Sequence, residues 1–167
     1  MMGAKKTSNS QKVTFHKAKI EDIPILTQLM TKAYDTLTIQ YLGKKSGPPG
    51  YSSTATHEYW MKSAIYYKIV YNNQYIIGGF IITIQHDVLY LNILFIDPKF
   101  QNMGVGTKVV QFIEQIDKNI AFIKLNTPKW ALQNHYFYEK LGYKRVDEIY
   151  DSELGFDLYI YMKTLSE

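Results

Sequence analysis

The 167-residue chain has no cysteine and a single arginine, Arg145, and its four histidines stand far apart at 16, 57, 86 and 135. The missing thiols exclude disulfide scaffolds, thiolate zinc sites and cysteine nucleophiles. The histidine spacing never approaches HExxH, so no metal is expected. No apolar run nears the roughly 20 residues that span a bilayer. Residues 1–12 are polar and lysine-containing with no apolar segment behind them, which speaks against a secretory signal and for a soluble, cytoplasmic protein without a membrane partner. The scarcity of arginine, whose fixed fork reads phosphates and base edges, argues against nucleic acid as a partner despite a formal charge of +4. Lysines crowd the first twenty residues, whereas 147–157 carries Asp147, Glu148, Asp151, Glu153 and Asp157.

What the chain does contain is ample core material: 46% of residues are hydrophobic and 15% aromatic, enough for a packed domain. No linker divides it, so residues 1–12 read as a flexible leader and 13–167 as one domain. A short alternating strand at 13–16 precedes a helix opened by Glu21, Asp22 and Pro24, with apolar Ile25, Leu26, Leu29, Met30, Ala33 and Leu37 at helical spacing. Residues 43–50 (GKKSGPPG) form a loop, either a plain connector or the mouth of a substrate site. A second helix is expected over 56–63. Strands at 65–71, 74–84 and 88–96 follow, joined by Asn72-Asn73 and by the turn 85–87, as an antiparallel meander. Helix at 104–118, strand at 120–126, helix at 130–141 closed by Gly142, and strands at 143–150 and 154–163 complete the order β-α-α-β-β-β-α-β-α-β-β. This α+β order predicts a central mixed, mostly antiparallel sheet of about seven strands with four helices.

The chemistry concentrates where the third meander strand ends. After Ile96-Asp97-Pro98 come Gln101-Asn102-Met103-Gly104-Val105-Gly106-Thr107, with two glycines opening a helix. Free N–H groups at a helix start attract anions, and glycine lets a bulky ligand approach the backbone. A phosphate or pyrophosphate cradle over 101–107 is one reading and a structural turn is the other. Dinucleotide and P-loop fingerprints both fail: Val109 stands where a third glycine belongs, and Thr107-Lys108 reverses the P-loop order. In the last helix Asn134 and Tyr138 are four apart and share a face.

Together these segments resemble the GCN5-related N-acetyltransferase (GNAT) superfamily. Its acetyl-CoA motif, Gln/Arg-x-x-Gly-x-Gly/Ala, matches Gln101 to Gly106, and its second motif, an Asn followed by hydrophobic-Tyr-x-x-x-Gly-Phe/Tyr, resembles Asn134 to Tyr143. The resemblance implies an N-acetyltransferase using acetyl-CoA as cosubstrate and no metal. Gln101, Asn102, Met103, Gly104, Val105, Gly106 and Thr107 would hold the pyrophosphate, and the main chain of Leu94 and Ile96 would pair with pantetheine. Asn134 would bond the same arm, and Tyr138 would protonate the departing thiolate. Attack would be direct, with a strand N–H, most plausibly at Ile96, stabilising the oxyanion. The strand glutamate of many relatives is absent, leaving only Asn92 there; His86, Asp87, Glu58, His57 or a held water are the substitutes for a base. The acceptor would meet residues 34–58 and 145–158, where Tyr34, Tyr41, Tyr51, Tyr59 and the acids of 147–157 suit an amine. A small primary amine is the expected acceptor, and the alternatives are a protein N-terminus or lysine, or a non-catalytic acetyl-CoA sensor. The oligomer would be a monomer or homodimer.

Overall fold

A computed structural model describes residues 12–165; most of the expected leader therefore lies outside the described residues. Eleven main elements follow the expected order. β1 (Val13–Lys17) leads through a 3-10 turn to α1 (Ile23–Leu42) and α2 (Thr54–Ser63). The meander is β2 (Ile65–Tyr71), β3 (Tyr75–Gln85) and β4 (Val88–Ile96). Then come α3 (Val105–Glu114), β5 (Phe122–Pro128), α4 (Leu132–Lys140), β6 (Lys144–Asp151) and β7 (Phe156–Thr164). The strands form one seven-stranded sheet in the order β1-β2-β3-β4-β5-β7-β6, antiparallel throughout except between β4 and β5.

Local chemistry accounts for the turns. Asn72 and Asn73 take φ of 51° and 56°, the left-handed pair that a tight hairpin requires. α1 carries Pro24 in its first turn and is capped by Gly43, φ 70°, whose N–H closes onto the Ile39 carbonyl. Gly142, φ 91°, turns the chain out of α4 as expected. α3 stops at Glu114, short of 118. The Gln115 N–H bonds back to Phe112, and the Asp117 carboxylate takes the Asn119 N–H at 2.8 Å, so a turn replaces the final helical turn.

Side chains divide between the two faces of the sheet. Phe80, Ile82, Leu89 and Leu91 pack against Val105, Val109, Val110 and Ile113 of α3 and against Tyr138 of α4. Ile81, Ile93 and Phe95 point the other way, onto Leu26, Leu29, Met30 and Ala33 of α1. Strict alternation along β4 would not put both Leu91 and Leu94 on the α3 face. A β-bulge allows it: Ile81 pairs with Ile93 but Ile82 with Leu91, leaving Asn92 as the extra residue.

Candidate active site

The bulge sits where β4 and β5 part company. Their parallel pairing runs only from Val88–Phe122 to Leu91–Leu125, whereas β5 stays paired with β7 as far as Pro128. Beyond Leu91, β4 therefore has a free edge facing away from β3. The phase of that edge follows from one bond: the Asp97 N–H reaches the Ile77 carbonyl of β3 at 2.7 Å. Alternate residues address the same neighbour, so Phe95 and Asp97 face β3, while Leu94 and Ile96 turn their N–H and C=O groups into the gap. Two contacts agree. A Cβ on Gly78 of β3 would collide with the Phe95 carbonyl, and the Gln101 Nε2 amide donates to the Ile96 carbonyl at 2.9 Å.

This gap is one end of a cleft of about 630 Å³. The loop and helix start contribute Gln101, Asn102, Gly104, Val105, Gly106 and Thr107. Leu94 and Ile96 supply the strand wall, and Asn134 and Tyr138 the α4 wall. Met103, placed with them by the sequence motif, is 40% exposed and does not line the cleft. Gln101 spends its amide on Ile96, so it braces the loop against β4 instead of pointing a donor at a ligand.

The glycines serve different ends. Gly104 has φ of 81° and no atom within 4 Å of where a Cβ would stand, so its backbone shape demands glycine and the space beside it is open. At Gly106, by contrast, a Cβ would meet the Phe137 ring at 3.1 Å, so that glycine lets α4 pack closely on α3. The first intrahelical bond of α3 is Lys108 N–H to the Gly104 carbonyl. The N–H groups of Val105, Gly106 and Thr107 thus lie ahead of the helical ladder at the positive end of its dipole.

A second cavity, about 250 Å³, meets the cleft at Tyr34, Leu37, Leu94, Asn134 and Tyr138. Its far walls come from Asn92, Leu125, Trp130, Phe156 and Leu158 and from the 46–49 loop. That loop is pinned. Thr38 Oγ1 donates to the Ser46 carbonyl at 3.1 Å and accepts the Ser46 N–H at 2.9 Å. Behind it, the Tyr51 hydroxyl donates to Asp35 at 2.6 Å, and burial, with this carboxylate beside it, pushes its phenol up to about 12. The indole N–H of Trp130, between the rings of Tyr41 and Phe156, finds no acceptor among the described residues.

Among the described residues, no Asp, Glu, His, Lys or Arg lines either cavity. The groups considered as bases lie elsewhere. His57 is fully buried: its Nε2–H donates to the Tyr51 carbonyl and its Nδ1 accepts the Tyr66 hydroxyl, both at 2.9 Å, and burial pushes its pKa down. His57 is thus a neutral brace for the loop. Glu58, His86 and Asp87 are exposed outside the cavities, and Asn92 donates to Thr83 at 3.0 Å. The acids of 147–157 also stay outside: Glu148 pairs with Lys129 at 2.7 Å, and Asp151 accepts two N–H groups of its own hairpin. Of the tyrosines expected near the acceptor, Tyr34 lines both cavities, Tyr41 backs Trp130, Tyr51 holds the loop and Tyr59 is 66% exposed.

Two titratable side chains remain at the junction, Tyr34 and Tyr138. Burial raises both phenols above their ordinary range, and for Tyr138 the nearby Tyr34 adds to the rise. Sequence reasoning placed Tyr138 here, and gave Tyr34 only as an aromatic near the acceptor. The contributions of Gln40, Gln133 and Phe137 were missed; Gln40 stands three after Leu37, Phe137 three after Asn134 and Gln133 four before Phe137, and only that helical spacing could have signalled them.

The acetyltransferase (GNAT) family model matches residues 29–143, more than half of the chain and both motif segments. The chain belongs to the GNAT acetyltransferase family. It is thereby an acyltransferase. Its fold recurs in solved GNAT structures at low identity. The PaiA N-acetyltransferase from Thermoplasma acidophilum in complex with coenzyme A is 17% identical with a TM-score of 0.75, covering 92% of this chain and 99% of that one. The ribosomal-protein alanine N-acetyltransferase from Escherichia coli is 15% identical with a TM-score of 0.73, covering 93% and 96%. A GNAT family acetyltransferase from Elizabethkingia anophelis with acetyl-CoA bound is 18% identical with a TM-score of 0.65, covering 92% and 98%. No curated protein matches the chain in sequence. No helix among the described residues is long and apolar enough to cross a membrane.

Proposed function

We propose that this GNAT protein transfers the acetyl group of acetyl-CoA to a small primary amine by direct attack, with Tyr138 as general acid. The observation that carries the reading is the junction itself: a free β-edge, an unpaired helix start and a buried, protonated phenol line one cleft. The residues fit the coenzyme. Open space beside Gly104 and the leading N–H groups of Val105, Gly106 and Thr107 suit a diphosphate, together with Asn102 and the loop braced by Gln101 and bearing Met103. The exposed main chain of Leu94 and the Ile96 N–H suit an amide-bearing arm that extends the sheet, with Asn134 beside it. Bound there, acetyl-CoA supplies an activated acyl thioester.

The chain's own groups do the rest. The Ile96 N–H, turned into the gap, offers a donor where a carbonyl oxygen would gain charge. Tyr138 keeps its proton at neutral pH because burial opposes the phenolate, and so holds it ready for a thiolate leaving group. Such positioned proton transfer is worth about 10²–10⁴ in rate. The Asn134 amide is fixed by donating to Thr127 Oγ1 at 3.2 Å, and His135 Nε2 by the Pro128 carbonyl at 2.9 Å, so α4 presents Tyr138 from a helix anchored to β5.

Two measurements test this. Calorimetric titration with acetyl-CoA should give saturable binding at micromolar concentrations, and thiol release in the presence of a primary amine panel should give multiple turnovers. Binding without turnover on any amine would leave the sensor reading; transfer to a peptide N-terminus or lysine but not to free amines would move the acceptor to protein.

A further inference from the structure

Resting on the reading of the neighbouring cleft as the coenzyme site, we infer that the second cavity admits only an amine borne on an uncharged, apolar body and takes it as the free base. The cavity opens onto Tyr138 and the free edge of β4, where the acyl group would lie, so whatever fills it faces the reacting carbon. At about 250 Å³ it has room for a branched alkyl or phenylalkyl group, given that an engineered 150 Å³ apolar cavity accepts benzene. Leu125, Leu158, Phe156, Trp130 and the two prolines of the loop supply apolar walls. The polar groups that interrupt them, Thr38, Ser46, Asn92, Asn126 and Thr127, are all neutral.

A cation has no counterpart there. Among the described residues no acid lines the cavity: Asp35 holds the Tyr51 hydroxyl, Glu148 pairs with Lys129, and Asp151 binds its own hairpin. Asp157 alternates on β7 with the lining residues Phe156 and Leu158, which puts it on the other face. An ammonium group entering without a carboxylate would lose its hydration uncompensated, and a second ammonium, as in a polyamine, would double the loss. The free base avoids that cost. It is scarce in solution, about one molecule in 250 at pH 8 for an alkylamine of pKa near 10.4. It also closes the proton balance without a base. The amine nitrogen forms the new C–N bond, the C–S bond breaks, the sulfur takes the Tyr138 proton, and the proton shed by nitrogen returns to the phenolate. No net proton is left for a carboxylate or histidine to remove, in keeping with cavities that hold neither.

The test measures kcat/KM by thiol release from acetyl-CoA with isopentylamine, 2-phenylethylamine, spermidine and free lysine, alongside calorimetric acetyl-CoA binding. The apolar monoamines should exceed spermidine and lysine by at least about 100-fold, with kcat/KM rising about tenfold per unit between pH 7 and 9 as the free base grows. In Leu154→Asp, a half-buried hairpin residue of the cavity wall outside the cleft, acetyl-CoA affinity should hold while the spermidine to 2-phenylethylamine ratio rises at least about tenfold. With acetyl-CoA bound normally, equal or better use of spermidine or lysine by the unaltered protein overturns the inference, as does no transfer to any of the four. So does faster turnover of butyryl-CoA than acetyl-CoA, which would give the cavity to the acyl chain. Absence of acetyl-CoA binding would instead sink the underlying reading of the cleft.

Discussion

Tyr138→Phe separates chemistry from architecture at this site. The Tyr138 ring is 8% exposed and packs edge-on against Phe137 and Tyr143 at 4.9 and 5.7 Å, with Tyr161 at 6.3 Å. Its hydroxyl has no hydrogen-bond partner among the described residues, so deleting the oxygen removes no protein bond and opens no cavity in the packing. Stability should change by less than about 1 kcal/mol, or less than about 4 °C in Tm for a chain of this size. Acetyl-CoA affinity should stay within about twofold, because a proton donor aimed at a leaving group acts in the transition state and not in the ground state. kcat should fall about 10²–10⁴-fold, equivalent to about 3–5 kcal/mol of barrier. Thiol release at saturating amine gives kcat, calorimetry gives affinity, and a thermal melt controls for folding. A kcat within threefold of the unaltered enzyme refutes the acid role. A large fall in Tm with kcat lost in proportion would make Tyr138 a core aromatic only.

Three further outcomes follow from the geometry. Gly104→Val forces a β-branched residue to φ near 81°, a strain of about 1–3 kcal/mol, and fills the open space beside the helix start; acetyl-CoA affinity measured by calorimetry should drop at least tenfold. Thr38→Val keeps the shape but removes both bonds to Ser46, so the amine KM should rise several-fold in steady-state assays with the acetyl-CoA KM unchanged. Lys68→Met strands Asp22, whose carboxyl burial would raise but which the Lys68 ammonium at 2.8 Å and the Lys19 N–H hold below its ordinary value. Because the folded pKa is depressed, the pair's contribution is complete above about pH 4, the unfolded value, and fades as pH falls through the folded one. The variant should lose about 2–3 kcal/mol in urea unfolding at pH 7 and much less near pH 2.

The sequence was most legible where local chemistry dictates shape. Paired asparagines, Pro24, Gly43 and Gly142 each mark a turn or helix end within a residue or two, helical spacing of apolar residues marks α1 and α3, and β-branched and aromatic runs mark the meander strands. The motif segments converge because β4 and α3 are consecutive and α4 follows one strand later, a distance that sequence order alone can span. Legibility ended where non-local packing decides. Gln101 looks like a ligand group in the string of residues, but the strand beside it offers a carbonyl that the string does not reveal. Gly106 reads as a place for a ligand, yet Phe137, thirty-one positions later, claims it. The acids of 147–157 suggested a cation site by composition, but Asp147, Glu148 and Asp151 lie on the edge strand β6, Glu153 lies in the hairpin, and Asp157 on β7 alternates with the lining residues, so none of them lines a cavity. The buried clamp of His57, Tyr66 and Tyr51 reaches from the loop before α2 to the start of β2 and leaves no periodic trace.

One inserted residue links fold to chemistry here. Without the bulge at Asn92, β4 would keep its alternation, and residues 94 and 96 would put their side chains on the α1 face and their amides toward β3. Phe95 would then face the gap. The extra residue shifts that phase by one, so Leu94 and Ile96 join Leu89 and Leu91 on the α3 side while their N–H groups turn to the side β5 has left. A bulge also bends its strand and sharpens the local twist, and pairing with β5 ends immediately before it, at Leu91. The bulge thus takes up the extra residue so that Leu94 and Ile96 keep facing outward, and it bends β4 where β5 leaves it. Deleting Asn92 keeps the Ile82–Leu91 and Ile81–Ile93 pairs and leaves Leu94 and Ile96 facing outward, but it removes the bend, so β5 can pair on past Leu91 and acetyl-CoA affinity should fall even if the chain folds. An Asn92→Ala protein keeps the extra residue, loses only the 3.0 Å bond to Thr83, and should bind acetyl-CoA normally. Equal affinity in the deletion and the substitution, measured side by side on folded protein, would show that the coenzyme site does not depend on the bend in β4.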